Sequence, residues 1–231
     1  MKRALYSLLL LLPALALAEP VTLRLKQKVG DVTRHSFTIK MTVENEPFSL
    51  LTEVQHRVAK VSDDQSLEIE EVVKYLTMVS GSETIDLTTE AENEPEESTL
   101  TFAANGQLTK SSVDEEDETL YRFADCMQFI APEKAVEVGA KWSANYVTEK
   151  RPGAVAGSIN FVFAAKEEVG GFSCAKVTFE SKESEGDKPA TGTGTIWIRI
   201  TDGVLVQMNG KFSNLPFGEP VDAEVESKLI P

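Results

Sequence analysis

Long stretches of alternating apolar and polar residues constrain the fold of this chain more than any other feature. In the stretch 21–29, for example, Val21, Leu23 and Leu25 alternate with polar residues. The same pattern returns in residues 37–43, 48–58, 67–79, 159–163, 196–200 and 221–229. Because successive side chains of a β-strand point to opposite faces, each stretch predicts a strand with one buried and one exposed face. The predicted fold is therefore mainly β, a long antiparallel meander whose sheet is covered on one side.

A single segment carries helical spacing instead. Its apolar residues are Leu120, Phe123, Ala124, Met127 and Ile130, which share one face of a helix. The consecutive acids of residues 114–118 precede this segment, where they favour a helix N-terminus, and Pro132 follows it. We predict one central helix over about residues 117–130.

The regions on either side of this helix repeat the same order of turns. Each runs from a Val-Gly turn, at Gly30 or Gly139, through long strands to an Asn-Gly or Asp-Gly hairpin. Two interpretations are open. Residues 19–113 and 133–231 are pseudo-repeats of a duplicated half-barrel wrapped on the helix, or a long meander produces the likeness by coincidence. Residues 19–231 are in either case expected to form a single β-rich domain.

The first residues are typical of a secretory signal peptide. Lys2 and Arg3 precede an apolar run, and Ala16 and Ala18 supply small residues before Glu19. This run and every later apolar stretch are too short to span a bilayer. We expect residues 1–18 to be a signal peptide cleaved after Ala18, and the mature chain to be secreted or periplasmic and not an integral membrane protein.

The charge of the chain excludes one class of partner. Loss of Lys2 and Arg3 with the signal peptide would take the formal net charge from −14 to −16. Nucleic acids repel so acidic a protein, so we expect no nucleic-acid partner. The acid run 114–118 lacks the alternating oxygen ligands of a calcium loop and is interpreted as a solvated loop. No nucleotide-binding glycine motif is present, and no cofactor is expected.

Catalytic signatures are absent from the sequence. The two histidines, His35 and His56, are in phase with the apolar faces of their strands, where a hairpin could bring them together. A core position is the favoured interpretation over a metal site, because no zinc-binding spacing accompanies them. No nucleophile elbow is present either. We therefore predict no catalytic and no metal-binding residues, although acids are plentiful enough to leave a carboxylate pair open.

Cys126 and Cys174 are the two cysteines of the chain. Two interpretations are open for an exported protein: a disulfide that stabilises the domain, or two small buried hydrophobic residues. Spacing along the sequence does not distinguish them, because a bridge requires proximity in space.

A curved sheet wrapped over the helix would enclose an apolar hollow. Such cavities bind small molecules or acyl chains, although aromatic residues on strand faces also serve simply as core. The residues predicted to line the hollow are Phe123, Met127, Trp142, Phe161, Phe163, Phe179 and Met208.

Three motifs carry a resemblance to a family of secreted bacterial proteins without an established activity. They are residues 25–31 (LKQKVGD), 131–142 (APEKAVEVGAKW) and 170–177 (GGFSCAKV). The architecture is also similar to the half-barrels of periplasmic lipoprotein carriers and of mycobacterial lipid-carrier lipoproteins. This second likeness implies a fold and, by analogy, an apolar ligand. The chain lacks the cysteine that anchors the lipid-modified members.

The leading hypothesis is an exported, non-enzymatic binding protein of the cell envelope. Its ligand would be an apolar small molecule, a lipid or a lipidated protein. One alternative is a structural or protein-interaction module with a filled core and no ligand. The other is a hydrolase with an unrecognised carboxylate site.

Overall fold

In the residues that it describes, a computed structural model of the chain contains one continuous antiparallel sheet of twelve strands. This confirms the predicted mainly β meander. The described residues are 19–43, 46–88, 98–112, 118–146, 155–217 and 219–231. The expected signal peptide, residues 1–18, and most of the acid run, residues 114–117, lie outside them.

The strands follow the alternating stretches of the sequence closely. Within the described ranges they are β1 (Val32–Val43), β2 (Glu46–Val61), β3 (Leu67–Ser80), β4 (Glu83–Asp86), β5 (Ser98–Phe102), β6 (Leu108–Ser111), β7 (Lys141–Tyr146), β8 (Gly157–Val169), β9 (Phe172–Glu183), β10 (Thr191–Arg199), β11 (Leu205–Phe217) and β12 (Glu219–Ile230). One helix, α1 (Glu118–Met127), lies between β6 and β7.

The order of strands divides the sheet into two sequential halves. It runs β6-β5-β3-β2-β1-β12-β11-β10-β9-β8-β7, and β4 pairs with β3 outside this path. The halves meet where β1 pairs with β12, with Ile39 opposite Val225. Each half is thus a meander that begins or ends at the centre of the sheet. The origin of the two halves by duplication remains a prediction.

The sheet curves until its two outer strands come close together without pairing. The side-chain amide Nε2 of Gln107, beside β6, donates to the carbonyl oxygen of Asn145 in β7 at 3.4 Å. Between these edges lies the segment that follows α1. Its Gln128 side chain accepts from the amide of Leu108 at 3.0 Å, and the amide of Ala131 donates to the carbonyl of Asn105 at 2.7 Å. A segment with irregular backbone therefore fills the seam between the edge strands.

The predicted helix is confirmed, although it ends at Met127 and not at Ile130. Residues beyond Met127 cannot continue the helix because their polar groups bond to the sheet edges. The indole Nε1 of Trp142, for example, donates to the carbonyl oxygen of Ile130 at 2.9 Å. Of the helices in the described residues, none is long and apolar enough to cross a membrane.

One predicted strand is wrong. Residues 21–29 alternate as a strand would, yet only Val21 makes an isolated bridge, to Val136. The amide of Leu25 bonds to the carbonyl of Ala104, and that of Lys26 to the carbonyl of Asp202. Because its partners are loops, this segment forms no ladder and crosses one end of the curved sheet as an extended strap. Its alternation still buries Leu23, which is 1% exposed.

Apolar residues on the concave face form two separate clusters. The larger packs α1 against β7–β12 and includes Ile159, Phe163 and Val177, all fully buried. The smaller lies on β2 and β3 around Val58, Leu67 and Ile69. The two clusters do not merge, and a space remains between them.

Candidate functional site

A cavity of about 420 Å³ separates the two apolar clusters. Helix α1 covers it, the concave face of the sheet forms its walls, and the strap of residues 21–29 contributes Leu23 and Leu25. The other apolar residues on its wall include Phe37, Ile69, Leu100, Phe102, Phe123, Met127, Phe129, Ile196, Ile198, Val204 and Met208. The described lining is therefore mainly apolar, as is typical of small-molecule pockets.

The strap reaches the cavity because a hairpin leaves room for it. Gly203, in the turn before β11, has a φ of 77°, which favours glycine. A Cβ atom at this position would clash with the carbonyl oxygen of Arg24 in the strap. The Asp-Gly turn recognised in the sequence thus both reverses the chain and lets the strap pass beside it.

A row of polar side chains crosses one end of this mainly apolar cavity. Thr33, His56, Glu71 and Ser98 stand opposite one another on β1, β2, β3 and β5. The Nε2 atom of His56 donates to Oε2 of Glu71 at 2.7 Å, and Oγ of Ser98 donates to Oε1 at 3.1 Å. Burial raises the pKa of Glu71, but the hydrogen bonds and the charge of His56 outweigh it and hold that pKa below its usual value. Glu71 is therefore a carboxylate at neutral pH.

His35 lies next to this row and is 5% exposed. Its ring centroid is 5.7 Å from that of His56. Its Nε2 atom lies 2.9 Å from the carbonyl oxygen of Leu205, which can only accept, so Nε2 carries the proton. Burial lowers the pKa of His35 to about 4 despite this bond, with smaller contributions from His56 and Arg199. The ring is therefore neutral at pH 7, and its Nδ1 atom is an acceptor that has no partner among the described residues.

The two histidines do approach one another, as the hairpin suggested. Among the described residues, however, no three histidine, cysteine, aspartate or glutamate side chains are grouped so that they could hold a metal ion.

The seven aromatic and methionine residues predicted to line the hollow fall into two groups. Phe123, Met127 and Met208 lie on the cavity wall. The remaining four belong to the larger apolar cluster. Trp142 stacks on Phe161 at 5.2 Å between ring centroids, and Phe129 meets Phe161 edge-on at 5.6 Å. The packed residues are Trp142, Phe161, Phe163 and Phe179. A role of any of the seven in ligand binding remains a prediction.

The histidines stand out as candidate site residues in the sequence, whereas Glu71 does not. A signal for it exists, because Glu71 is in phase with Ile69 and Val73 on the buried face of β3. An acid at an apolar position of a strand indicates a polar partner inside the fold.

Both cysteines are buried free thiols, so the disulfide considered from the sequence is not formed. Cys126 lies on α1, with its Sγ atom 3.7 Å from the hydroxyl of Tyr146. Tyr146 pairs with Gly157, and Gly157 pairs with Glu183 at the last residue of β9. Cys174 stands near the first residue of β9. The two thiols are at opposite ends of this strand, beyond the reach of a bridge.

We expect the folded protein to resist thiol reagents. Burial raises the pKa of Cys126 to about 12, so the reactive thiolate is scarce, and Cys174 is fully buried. Titration with a disulfide reagent should label neither cysteine in the native protein and both after unfolding without reductant. A protein that releases no thiol on unfolding would contradict the free state.

The fold and the site together define a class: a curved antiparallel sheet that encloses an apolar cavity beneath one helix. A structure of lipovitellin that describes lipid–protein interactions has this fold, with a TM-score of 0.52 and 10% identity over 88% of the present chain. The match covers 25% of that chain, so the present chain spans about a quarter of its length. At this identity the likeness shows the fold alone.

Two bacterial structures match the present chain over more of their own length than lipovitellin does, but with lower TM-scores. They are a hypothetical lipoprotein, YmcC of Escherichia coli (14% identity, 88% of either chain, TM-score 0.34), and an exported protein with a YmcC-like fold from Bacteroides fragilis (12% identity, 91% of this chain, 100% of the other, TM-score 0.35). The structural neighbours from bacteria thus include a hypothetical lipoprotein and a protein with a YmcC-like fold. No family model matches the chain, and no similarity to a curated protein was found.

Proposed function

We propose that this chain is an exported, non-enzymatic binding protein of the cell envelope that holds an apolar ligand between α1 and the sheet. The observation that carries the proposal is the apolar cavity of about 420 Å³. Its volume falls near the lower end of the range of ~300–1,000 Å³ for small-molecule pockets, which favours one chain or one small molecule. Export rests on the signal-peptide pattern of residues 1–18.

The lipid class of the ligand is supported by two arguments. The wall is aliphatic and aromatic over most of its area, so burial of a hydrocarbon there is driven by the hydrophobic effect. Lipovitellin, whose structure concerns lipid–protein interactions, shares the fold. The acyl chain of a lipidated protein would present the same chemistry as a free lipid.

A structural module without a ligand is the second candidate. It is favoured by the dense packing of Phe161, Phe163 and Phe179 in the larger cluster, each no more than 3% exposed. A paired-carboxylate hydrolase has less support, because Glu71 contributes the sole carboxylate to the described cavity wall.

Filling the cavity from the helix should separate the two candidates. Ala124 of α1 lies on the cavity wall, so phenylalanine in its place would occupy the space of a ligand. We expect protein purified from its native host to carry an extra mass in native mass spectrometry that is lost on denaturation. The Ala124→Phe variant should lack this mass. Its midpoint of unfolding in urea should differ little from that of the unchanged protein.

A matched control is Val138→Phe, since Val138 is 44% exposed and outside the cavity. This variant should retain the extra mass. Native protein without any extra mass that also takes up no lipid on reconstitution would contradict the binding function and favour the structural module.

A further inference from the structure

The polar end of the cavity carries hydrogen-bond acceptors and no unpaired cation among its described residues. None of these residues is lysine or arginine, and Glu71, which contributes a carboxylate, already engages His56. An anionic head group placed there would find no free cation to offset its charge. Burial of an unpaired charge is strongly unfavourable, so fatty-acid carboxylates and phosphates are poor occupants of this end.

Two groups at this end retain the capacity to accept a hydrogen bond. The Glu71 carboxylate has about four lone-pair sites and receives bonds from His56 and Ser98. The neutral ring of His35 carries its proton on Nε2, which donates to the carbonyl oxygen of Leu205, so Nδ1 is an acceptor. This Nδ1 atom is buried and has no hydrogen-bond partner among the described residues. An acceptor that is left unpaired in the interior is costly, and a donor from a ligand would remove that cost.

Ammonium head groups would also donate, but they fit less well than a hydroxyl. Glu71 is already bonded to an imidazole and a hydroxyl, and the charge of Arg199 acts on His35 from outside the cavity wall. A cation would have to give up its hydration for a carboxylate whose charge is partly engaged. A hydroxyl donates equally well and brings no charge to bury.

We propose that the cavity takes an uncharged single-chain lipid with a hydroxyl head, such as a long-chain alcohol or a monoacylglycerol, and that the hydroxyl donates to the acceptors of His35 and Glu71. This inference rests on the proposed function, since it names the ligand class of the same cavity. The chain of the lipid lies along the apolar wall toward Met127 and Met208, away from the polar row.

Probes with one chain and different heads test the inference. Dodecanol, dodecyl methyl ether, dodecylamine and dodecanoate would be compared as competitors of a fluorescent lipid on the full mature chain, at a pH where dodecanoate is ionised. Dodecanol should bind about tenfold more tightly than the methyl ether, which lacks only the donor. It should also bind more tightly than the amine and the carboxylate.

His35 provides a variant and a spectroscopic readout. In His35→Leu, dodecanol should lose its advantage over the ether, whereas His35→Gln should keep part of it because the amide can donate to Leu205 and still accept. If His35→Leu does not fold, nitrogen NMR of the native protein serves instead. The Nδ1 resonance of His35 should move to lower frequency with dodecanol and not with the ether.

Each outcome bears on one of the two proposals. Equal binding of alcohol and ether, or tighter binding of amine or carboxylate, overturns the head-group inference and leaves lipid binding intact. No binding of any probe overturns the binding function itself, and the inference with it. If bound dodecanol does not shift the Nδ1 resonance, His35 does not accept a hydrogen bond from the ligand.

Discussion

Replacing Arg122 with methionine should lower the free energy of unfolding by about 3–5 kcal/mol. Arg122 of α1 forms two parallel bonds with Glu183 at the end of β9, at 2.7 and 2.6 Å. The Glu183 side chain is 1% exposed and also accepts from the amide of Ala190 at 2.6 Å. Methionine keeps much of the apolar stem but leaves a carboxylate buried without its cation. Urea unfolding followed by circular dichroism would measure the loss.

Two further variants separate this effect from a general loss of charge. The pair of Arg57 and Glu70 also joins two elements but is exposed, with side chains 53% and 40% accessible. Arg57→Met should therefore cost no more than about 1 kcal/mol. The double variant Arg122→Met, Glu183→Gln should recover part of the loss, because no buried charge remains. A loss of similar size for Arg57→Met and Arg122→Met would contradict a specific buried pair.

The pair also matters for the cavity, because it holds the helix that covers it. Phe123 and Met127 reach the cavity from the same helix that Arg122 fixes to β9. We infer that a weaker Arg122 contact loosens the cover over the ligand.

Phe163→Ala is expected to destabilise the protein by about 3–5 kcal/mol without removing lipid uptake. The Phe163 ring is fully buried in the larger cluster and is absent from the cavity wall. Its truncation removes apolar contacts and leaves a void in a packed region that cannot fully collapse. The urea midpoint should fall strongly, and a fluorescent lipid should still bind to the folded fraction.

The uptake measurement needs a milder variant, since a large loss of stability reduces the folded fraction. Phe163→Leu retains most of the volume and should bind lipid as the unchanged protein does. Tyr75→Ala, at a position 41% exposed, controls for loss of an aromatic residue and should change stability little. If a folded Phe163→Leu protein does not take up lipid, the Phe163 ring contributes to the ligand site.

The alternation of residues was sufficient to predict most strands and the face that each one buries. Phe37, Ile39 and Met41 lie on the concave face of β1, as their period of two indicated. The helical spacing of Phe123 and Met127 likewise identified helix α1 and its inward side. These are local properties, since the direction of a side chain depends on the backbone of its own segment.

The strap shows where the same pattern fails. Val21, Leu23 and Leu25 alternate as well as any strand, yet their backbone bonds to loops. A strand exists only where another strand provides the matching hydrogen bonds, and nothing in the alternation states that a partner is present.

The site depended on contacts between residues distant in the sequence. Register across three strands placed His56, Glu71 and Ser98 in one row, and curvature of the sheet brought β6 near β7. Phe129 of the segment after α1 packs against Trp142 and Phe161, so these rings became core, and the cavity remained on the other side of the same segment's Phe129 and Gln128. Local patterning thus determined which elements form and which faces they bury. Strand register, the strap and the free thiols were decided by tertiary structure, because each depends on which distant segments meet.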